Sequence, residues 1–229
     1  MTDADTPLTD VLAQIDAWYL VNVPAIHATL RPGVTDAELD ALEQKTKLKL
    51  PEAFRTLYKW HDGDGGGIAS FGLGLVRLAH VQFAWNTWQD VAADWPEELD
   101  LDAGSFPAGA IQQRYSTPGW LGFLEDWGGN YVGVDFNPGP AGTVGQVITF
   151  GRDEEKKYVL ANSLEDFLRE YERRLSTGQA SVVKLEGYDQ ETLSIQLHDS
   201  RGRHTEGYHV LADLFPGFGA APDDRRPRP

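Results

Sequence analysis

The sequence predicts an α+β fold, and three observations predict it. The first third repeats apolar residues at helical spacing. The middle alternates short β-prone runs with turn residues, and an amphipathic helix then closes that run. With 229 residues, 41% of them hydrophobic, the chain is long enough to bury a core without a staple.

Residues 8–21 place Leu8, Leu12, Ile15 and Tyr19 on one helical stripe, with Val11 and Trp18 beside it. Pro24 ends this helix or opens a short second turn. Thr35 and Glu38 stand at capping-box spacing, so a helix runs from Asp36 to about Lys47 with Leu39 and Leu42 inward. Leu50-Pro51-Glu52 starts the next helix with proline at its first position, and Phe54, Leu57, Tyr58 and Trp60 form its apolar side. The glycine-rich run His61–Gly67 stops it.

Residues 71–78 have room for one strand. Residues 79–93 return to helical periodicity through Val81, Trp85, Trp88 and Val91, and a Pro- and Gly-bearing connection spans about 95–117. Trp120–Glu125, Tyr131–Phe136, Val144–Phe150 and Lys157–Leu160 read as an antiparallel sheet. Its clearest turns are 126–130 and 137–142, where Gly128, Gly129 and Asn130 permit the positive φ of a tight hairpin. Ser163 caps a helix whose stripe is Leu164, Phe167, Leu168, Tyr171 and Leu175. Ser181–Glu186, Thr192–His198 and Gly207–Leu211 read as three further strands, either extending the sheet or forming an appendage. The expected organisation is an α+β domain with N-terminal helices over 1–178, a β-rich extension of the same unit over 179–215, and a disordered tail over 216–229.

Charge and composition exclude several classes of function. A formal net charge of −15, from 35 acidic and 20 basic residues, is the wrong balance for direct nucleic-acid binding, which needs a basic face. It favours encounter with a basic protein, and it also serves simple solubility. Without cysteine there is no disulfide, thiolate metal site or cysteine nucleophile. No apolar run approaches the ~20 residues needed to cross a bilayer. The acidic, polar first ten residues lack the pattern of a secretory signal, so the expected location is cytoplasmic.

Leu50-Pro51 with Phe54, Leu57 and Tyr58 leads into Asp62-Gly63. Asp126 through Asp135 (DWGGNYVGVD) follows, then Asn137-Pro138-Gly139, Gly145-Gln146-Val147 and Ser163 through Leu168 (SLEDFL). In this order the motifs resemble the SUKH superfamily over about residues 30–175. That group joins fungal cell-wall assembly regulators to bacterial toxin-immunity proteins. The resemblance implies an α+β fold with helices packed on one face of a mostly antiparallel sheet, and a non-enzymatic, protein-binding role. Two versions follow from it: an immunity protein that neutralises a basic toxin by holding it, or a regulator or scaffold for cell-envelope assembly. Fold-level likeness alone does not choose between them.

Residue chemistry offers little for catalysis, metal or cofactor. From Asp62, a calcium loop would need oxygen ligands at the fifth and twelfth positions, which are Gly66 and Leu73. The same glycines follow a helix and lack the Lys-Ser/Thr of a phosphate cradle. His27, His61, His80, His198, His204 and His209 show no tight ligand spacing, although the last three can converge across strands. No Gly-x-Ser-x-Gly elbow is present. The stretch that suits capture of a basic partner is Trp85, Trp88, Asp94, Trp95, Glu97, Glu98, Asp100 and Asp102. Its rings offer desolvated contact and its carboxylates orientation. The competing use of these residues is as core aromatics beside a solvated acidic loop.

Overall fold

In the computed structural model, which describes residues 6–64, 73–94, 100, 103–185, 192–198 and 211–214, the turn residues of the middle region separate four strands that pair in sequence order. These are β3 (Trp120–Glu125), β4 (Asn130–Asp135), β5 (Gln146–Gly151) and β6 (Lys156–Ala161), all antiparallel. Two short strands complete the sheet. β1 (Gly74–Leu75) runs antiparallel beside β3, and β2 (Gly104–Phe106) runs parallel beside β6, giving the order β1-β3-β4-β5-β6-β2. Edges this short offer little template for unwanted strand pairing.

The helices are α1 (Leu8–Asn22), α2 (Pro24–His27), α3 (Asp36–Thr46), α4 (Glu52–Trp60), α5 (Leu78–Asp94), α6 (Leu164–Ser176) and α7 (Leu211–Leu214). The stripes expected from sequence are the buried ones: Leu12, Ile15 and Tyr19 on α1, Leu39 and Leu42 on α3, Phe54, Leu57 and Tyr58 on α4, and Leu164, Phe167, Leu168, Tyr171 and Leu175 on α6. They meet Leu121, Phe123, Val132, Val134, Val147, Tyr158 and Leu160 of the sheet in one large core. Inside it the Tyr19 and Tyr171 hydroxyls bond each other at 2.6 Å, tying α1 to α6. Thr35 and Glu38 form the expected capping box, and the Ser163 hydroxyl accepts from the Asp166 amide at 3.1 Å.

Alternation along the strands sends the intervening side chains to the opposite face. There Trp120, Tyr131, Ile148, Phe150 and Val159 form a smaller core with Ala84 of α5, Ala110 and Ile111, and Trp88 packs against it. A β-bulge between Gly122 and Leu124 shifts the β3 register, and beyond it Glu125 stands on this second face beside Tyr131.

Several expectations need correction. Pro51 is the N-cap of α4, extended at φ −61° and ψ 152°, and the helix starts at Glu52. Of the strand expected over 71–78, the described part is only Gly74–Leu75, because Leu78 already begins α5, its amide bonded to the Asp62 carboxylate at 2.7 Å. β2 lies inside the expected 95–117 connection. In the 126–130 hairpin the positive φ falls on Trp127 (61°) and Gly129 (96°), not on Gly128, and Asn130 is already in β4. The Asp126 carboxylate sets this turn by accepting from the Gly128 and Asn130 amides and from Asn130 Nδ2.

After α6, β7 (Ala180–Leu185) and β8 (Thr192–Leu197) pair as a separate antiparallel hairpin and do not extend the main sheet. The third strand expected over 207–211 falls mostly outside the described residues, and Leu211 opens α7. Arg174 joins these parts to α6: its buried guanidinium donates to Glu170, to the His198 carbonyl and to the Leu214 carbonyl. The 216–229 tail lies outside the described residues.

Candidate functional site

The residues expected to form an acidic, aromatic surface meet different fates. Trp85 is half-buried against the large core, with its indole N–H donating to the Pro118 carbonyl at 3.0 Å. Trp88 turns toward the smaller core, 5.5 Å from the Tyr115 ring and edge-on to Tyr131 at 6.3 Å between centroids. Asp100 accepts from the Tyr115 amide at 2.6 Å and pairs with Arg114 at 2.7 Å. Asp94 closes α5. Trp95, Glu97, Glu98 and Asp102 lie outside the described residues.

What α5 presents outward is a different aromatic. Ala79, Phe83, Thr87 and Asp90 recur at helical spacing along its exposed side, and Phe83 is 64% exposed. The His80 ring lies 5.7 Å from Phe83 and 5.6 Å from Trp127, the residue at the tip of the β3–β4 hairpin. Trp127 is itself 46% exposed and takes the left-handed φ of 61° that a bulky side chain rarely adopts. Beneath them His80 Nε2 meets the buried Glu125 carboxylate at 2.6 Å, and the Tyr131 hydroxyl donates to the same carboxylate at 3.1 Å. Burial first, then the Glu125 charge, hold the Tyr131 phenol well above its ordinary range.

Two signals in the sequence pointed here. Phe83 interrupts the polar side of an otherwise regular helical stripe, and a tryptophan occupies a turn otherwise built of Asp, Gly and Asn.

Two more charged groups are buried on the same face of the sheet. Asp135 accepts from Gln146 Nε2 and the Asn137 amide, both at 2.9 Å, and burial pushes its carboxyl up to about 6. Gln146 Nε2 also donates to the Ala110 carbonyl, so the carboxylate helps hold β4, β5 and the 110 loop together. Lys157 donates to the Glu154 carbonyl at 2.8 Å and lies over the Tyr115 and Trp120 rings at 5.7 and 5.4 Å. Burial pulls its ammonium down to about 8.

Neither acid of the Asp62–Asp64 pair is spare. Asp62 caps α5, and Asp64 Oδ2 accepts from the Leu75 amide at 3.0 Å. His27 and His61 both approach Asp16, at 3.3 and 3.2 Å, binding α2 and the end of α4 to α1. His198 is partnered by Ser181 at 2.9 Å, and His204 and His209 lie outside the described residues. Among the described residues no group of three or more His, Cys, Asp or Glu is arranged to hold a metal ion. A gap of about 60 Å³ between α1, α4, α6 and the sheet is lined by core residues such as Ile15, Leu57 and Phe123. It is well below the ~150 Å³ of an apolar cavity that admits benzene.

These features define an α+β domain whose second sheet face buries charged groups, with exposed aromatics on the neighbouring α5 and β3–β4 turn. Residues 33–170, more than half of the chain and all of the main sheet, match the SMI1 / KNR4 family (SUKH-1), and the chain belongs to that family. It is 37% identical over 175 residues to the cell wall biosynthesis/cell cycle regulator smi1 of Schizosaccharomyces pombe, covering 71% of this chain and 35% of that protein. A glucan synthesis regulatory protein of Neurospora crassa is 30% identical, with 84% and 42% covered. The cell wall assembly regulator SMI1 of Saccharomyces cerevisiae is 27% identical, with 74% and 40% covered. The chain thus spans well under half the length of these relatives. They are named as regulators, not as enzymes. No helix among the described residues is long and apolar enough to cross a membrane.

Proposed function

We propose that the chain is a non-enzymatic regulatory domain that acts in cell-envelope assembly by binding another protein. The observation that carries this reading is its likeness, over most of its length, to relatives named for regulating cell-wall and glucan synthesis. The surroundings of the second sheet face support it: Asp135 and Lys157 are used for internal bonds, while Phe83 on the outer side of α5 and Trp127 in the β3–β4 turn reach solvent. Deleting the gene in its native host and challenging cells with inhibitors of wall-polymer synthesis tests the reading. Hypersensitivity that the chain restores is the expected result. Unchanged growth and unchanged wall composition would sink the envelope role.

A second reading, capture and neutralisation of a basic toxin, is favoured by the formal net charge of −15. The names of the relatives support regulation in preference to it. Co-expression with a toxin encoded beside the gene separates the two: rescue of growth would favour immunity, and continued killing would remove it.

A further inference from the structure

Between β4 and β5 the chain lays residues 137–145 flush against the 109–110 segment, backbone to backbone. The Gly139 amide donates to the Ala110 carbonyl and the Ala141 amide to the Gly109 carbonyl, each at 3.0 Å. A side chain at Gly139 or Gly142 would run into those same carbonyls, so the seam closes only with glycine there. Gln146 Nε2 adds a bond to the Ala110 carbonyl at 2.9 Å. The outer side of the turn is uncovered: Pro140, Ala141, Thr143 and Val144 are exposed, and the space around Gly145, at a φ of 91°, is open.

Next to this seam lies Asp135, with no exposure to solvent. Its carboxylate accepts from the Asn137 amide of the turn and from Gln146 of β5, and the Trp120 indole of β3 also favours its charged form. None of these groups titrates or carries charge, and the 110 segment contributes only a carbonyl, which is turned to Gln146. Among the described residues, then, the ionised Asp135 has no cation to pair with. A buried charge held by neutral donors alone is costly, and water relieves the cost.

We infer that residues 137–145 form a lid that lifts from the 109–110 segment when Asp135 ionises, admitting water to the carboxylate and uncovering part of the second sheet face. A groove of about 500 Å³ already runs beside the seam, lined by Ser105, Ile111, Gln112, Arg114, Gly139 and Pro140. Its walls part as the seam opens. The sign follows from linkage. Burial pushes the Asp135 carboxyl from an ordinary 3.8 up to about 6, so the closed form holds the proton more tightly than a hydrated, open form does. Acid therefore closes the lid, and rising pH favours the open form.

The test is amide hydrogen exchange followed by NMR on the full chain, at about pH 5 and pH 7.5, with rates corrected for their intrinsic pH dependence. Wild type is compared with Asp135→Asn, and circular dichroism and a urea midpoint confirm that the variant folds. The Gly139 and Ala141 amides should exchange faster than those of β4, through openings smaller than global unfolding. Their protection should fall ~10-fold between the two pH values in wild type, as a carboxyl at about 6 when closed and 3.8 when hydrated requires. In Asp135→Asn it should stay flat. Protection equal to that of β4 would leave only global unfolding and overturn the proposal. Protection that ignores pH in wild type, or that falls equally in the variant, would overturn it too. A check that needs no variant is the Asp135 carboxyl carbon in wild type, which should titrate with a midpoint at about 6. A midpoint in the ordinary carboxylate range would remove the buried charge that drives the lid.

Discussion

The two faces of the sheet are built on different rules. The face under α1, α4 and α6 is closed by Leu, Val, Phe and Tyr from every strand of the meander. The opposite face has a smaller apolar cluster and is where the sheet keeps Glu125, Asp135 and Lys157, each below a tenth exposed. Burying a charge costs free energy unless each of its bonding positions is met. A chain selected only for stability would have closed both faces the same way. The difference assigns stability mainly to the first face and makes the second the costlier one to bury.

The contrast breaks first on the large core. Phe54 of α4 is fully buried among apolar neighbours, so Phe54→Ala removes transfer energy and leaves a cavity. The expected loss is about 3–5 kcal/mol in urea or thermal unfolding. A loss below about 1 kcal/mol would mean that the first face is not where stability resides.

The buried charges come next, and their signs oppose each other along the pH axis. Asp135 titrates at about 6 in the fold against an ordinary 3.8, so its raised value favours the folded state at low pH. That contribution is fully present below about pH 4 and is lost as pH rises through 6, a change of about 3 kcal/mol. Asp135→Asn should remove this fall, and the difference between the two stability–pH curves measures it. Lys157 titrates at about 8 against 10.5, so its contribution is present above pH 10.5 and lost as pH falls through 8. Lys157→Met should therefore raise stability at pH 7 by roughly 1–2 kcal/mol, even though the Glu154 carbonyl loses its donor. A destabilised Lys157→Met would show that the ammonium's bonds outweigh its burial.

The first face was legible in the sequence because it obeys periodicity. Every stripe of α1, α3, α4 and α6 repeats its apolar residues at helical spacing, and β3 to β6 are marked off by glycine, proline and asparagine turns. What escaped depends on partners distant in the chain. Gly104-Ser105-Phe106 has no strand pattern of its own and becomes β2 only because β6 lies beside it. Leu211 reads as the end of a strand and becomes a helical turn packed into the large core. The candidate site was half legible. Periodicity placed Trp85 and Trp88 on one stripe of α5 and left open whether they are core or interface, and it gave no reason to prefer Phe83. Trp127 was read within a glycine turn, and only the backbone revealed that the tryptophan itself bears the positive φ.

That residue gives the smallest and most discriminating prediction. Trp127→Gly removes an indole that is nearly half exposed and relieves a left-handed backbone, two changes of opposite sign. Glycine also adds entropy to the unfolded chain, which offsets part of the relief. The net effect on the urea midpoint should stay within about 1 kcal/mol of wild type, in either direction. Set beside Phe54→Ala, this separates a residue kept for packing from one held at some backbone cost. A loss above about 2 kcal/mol would make Trp127 part of the scaffold, and the second face would then be a stability element like the first. A near-neutral stability would show a bulky ring retained at a left-handed position that the fold itself does not require.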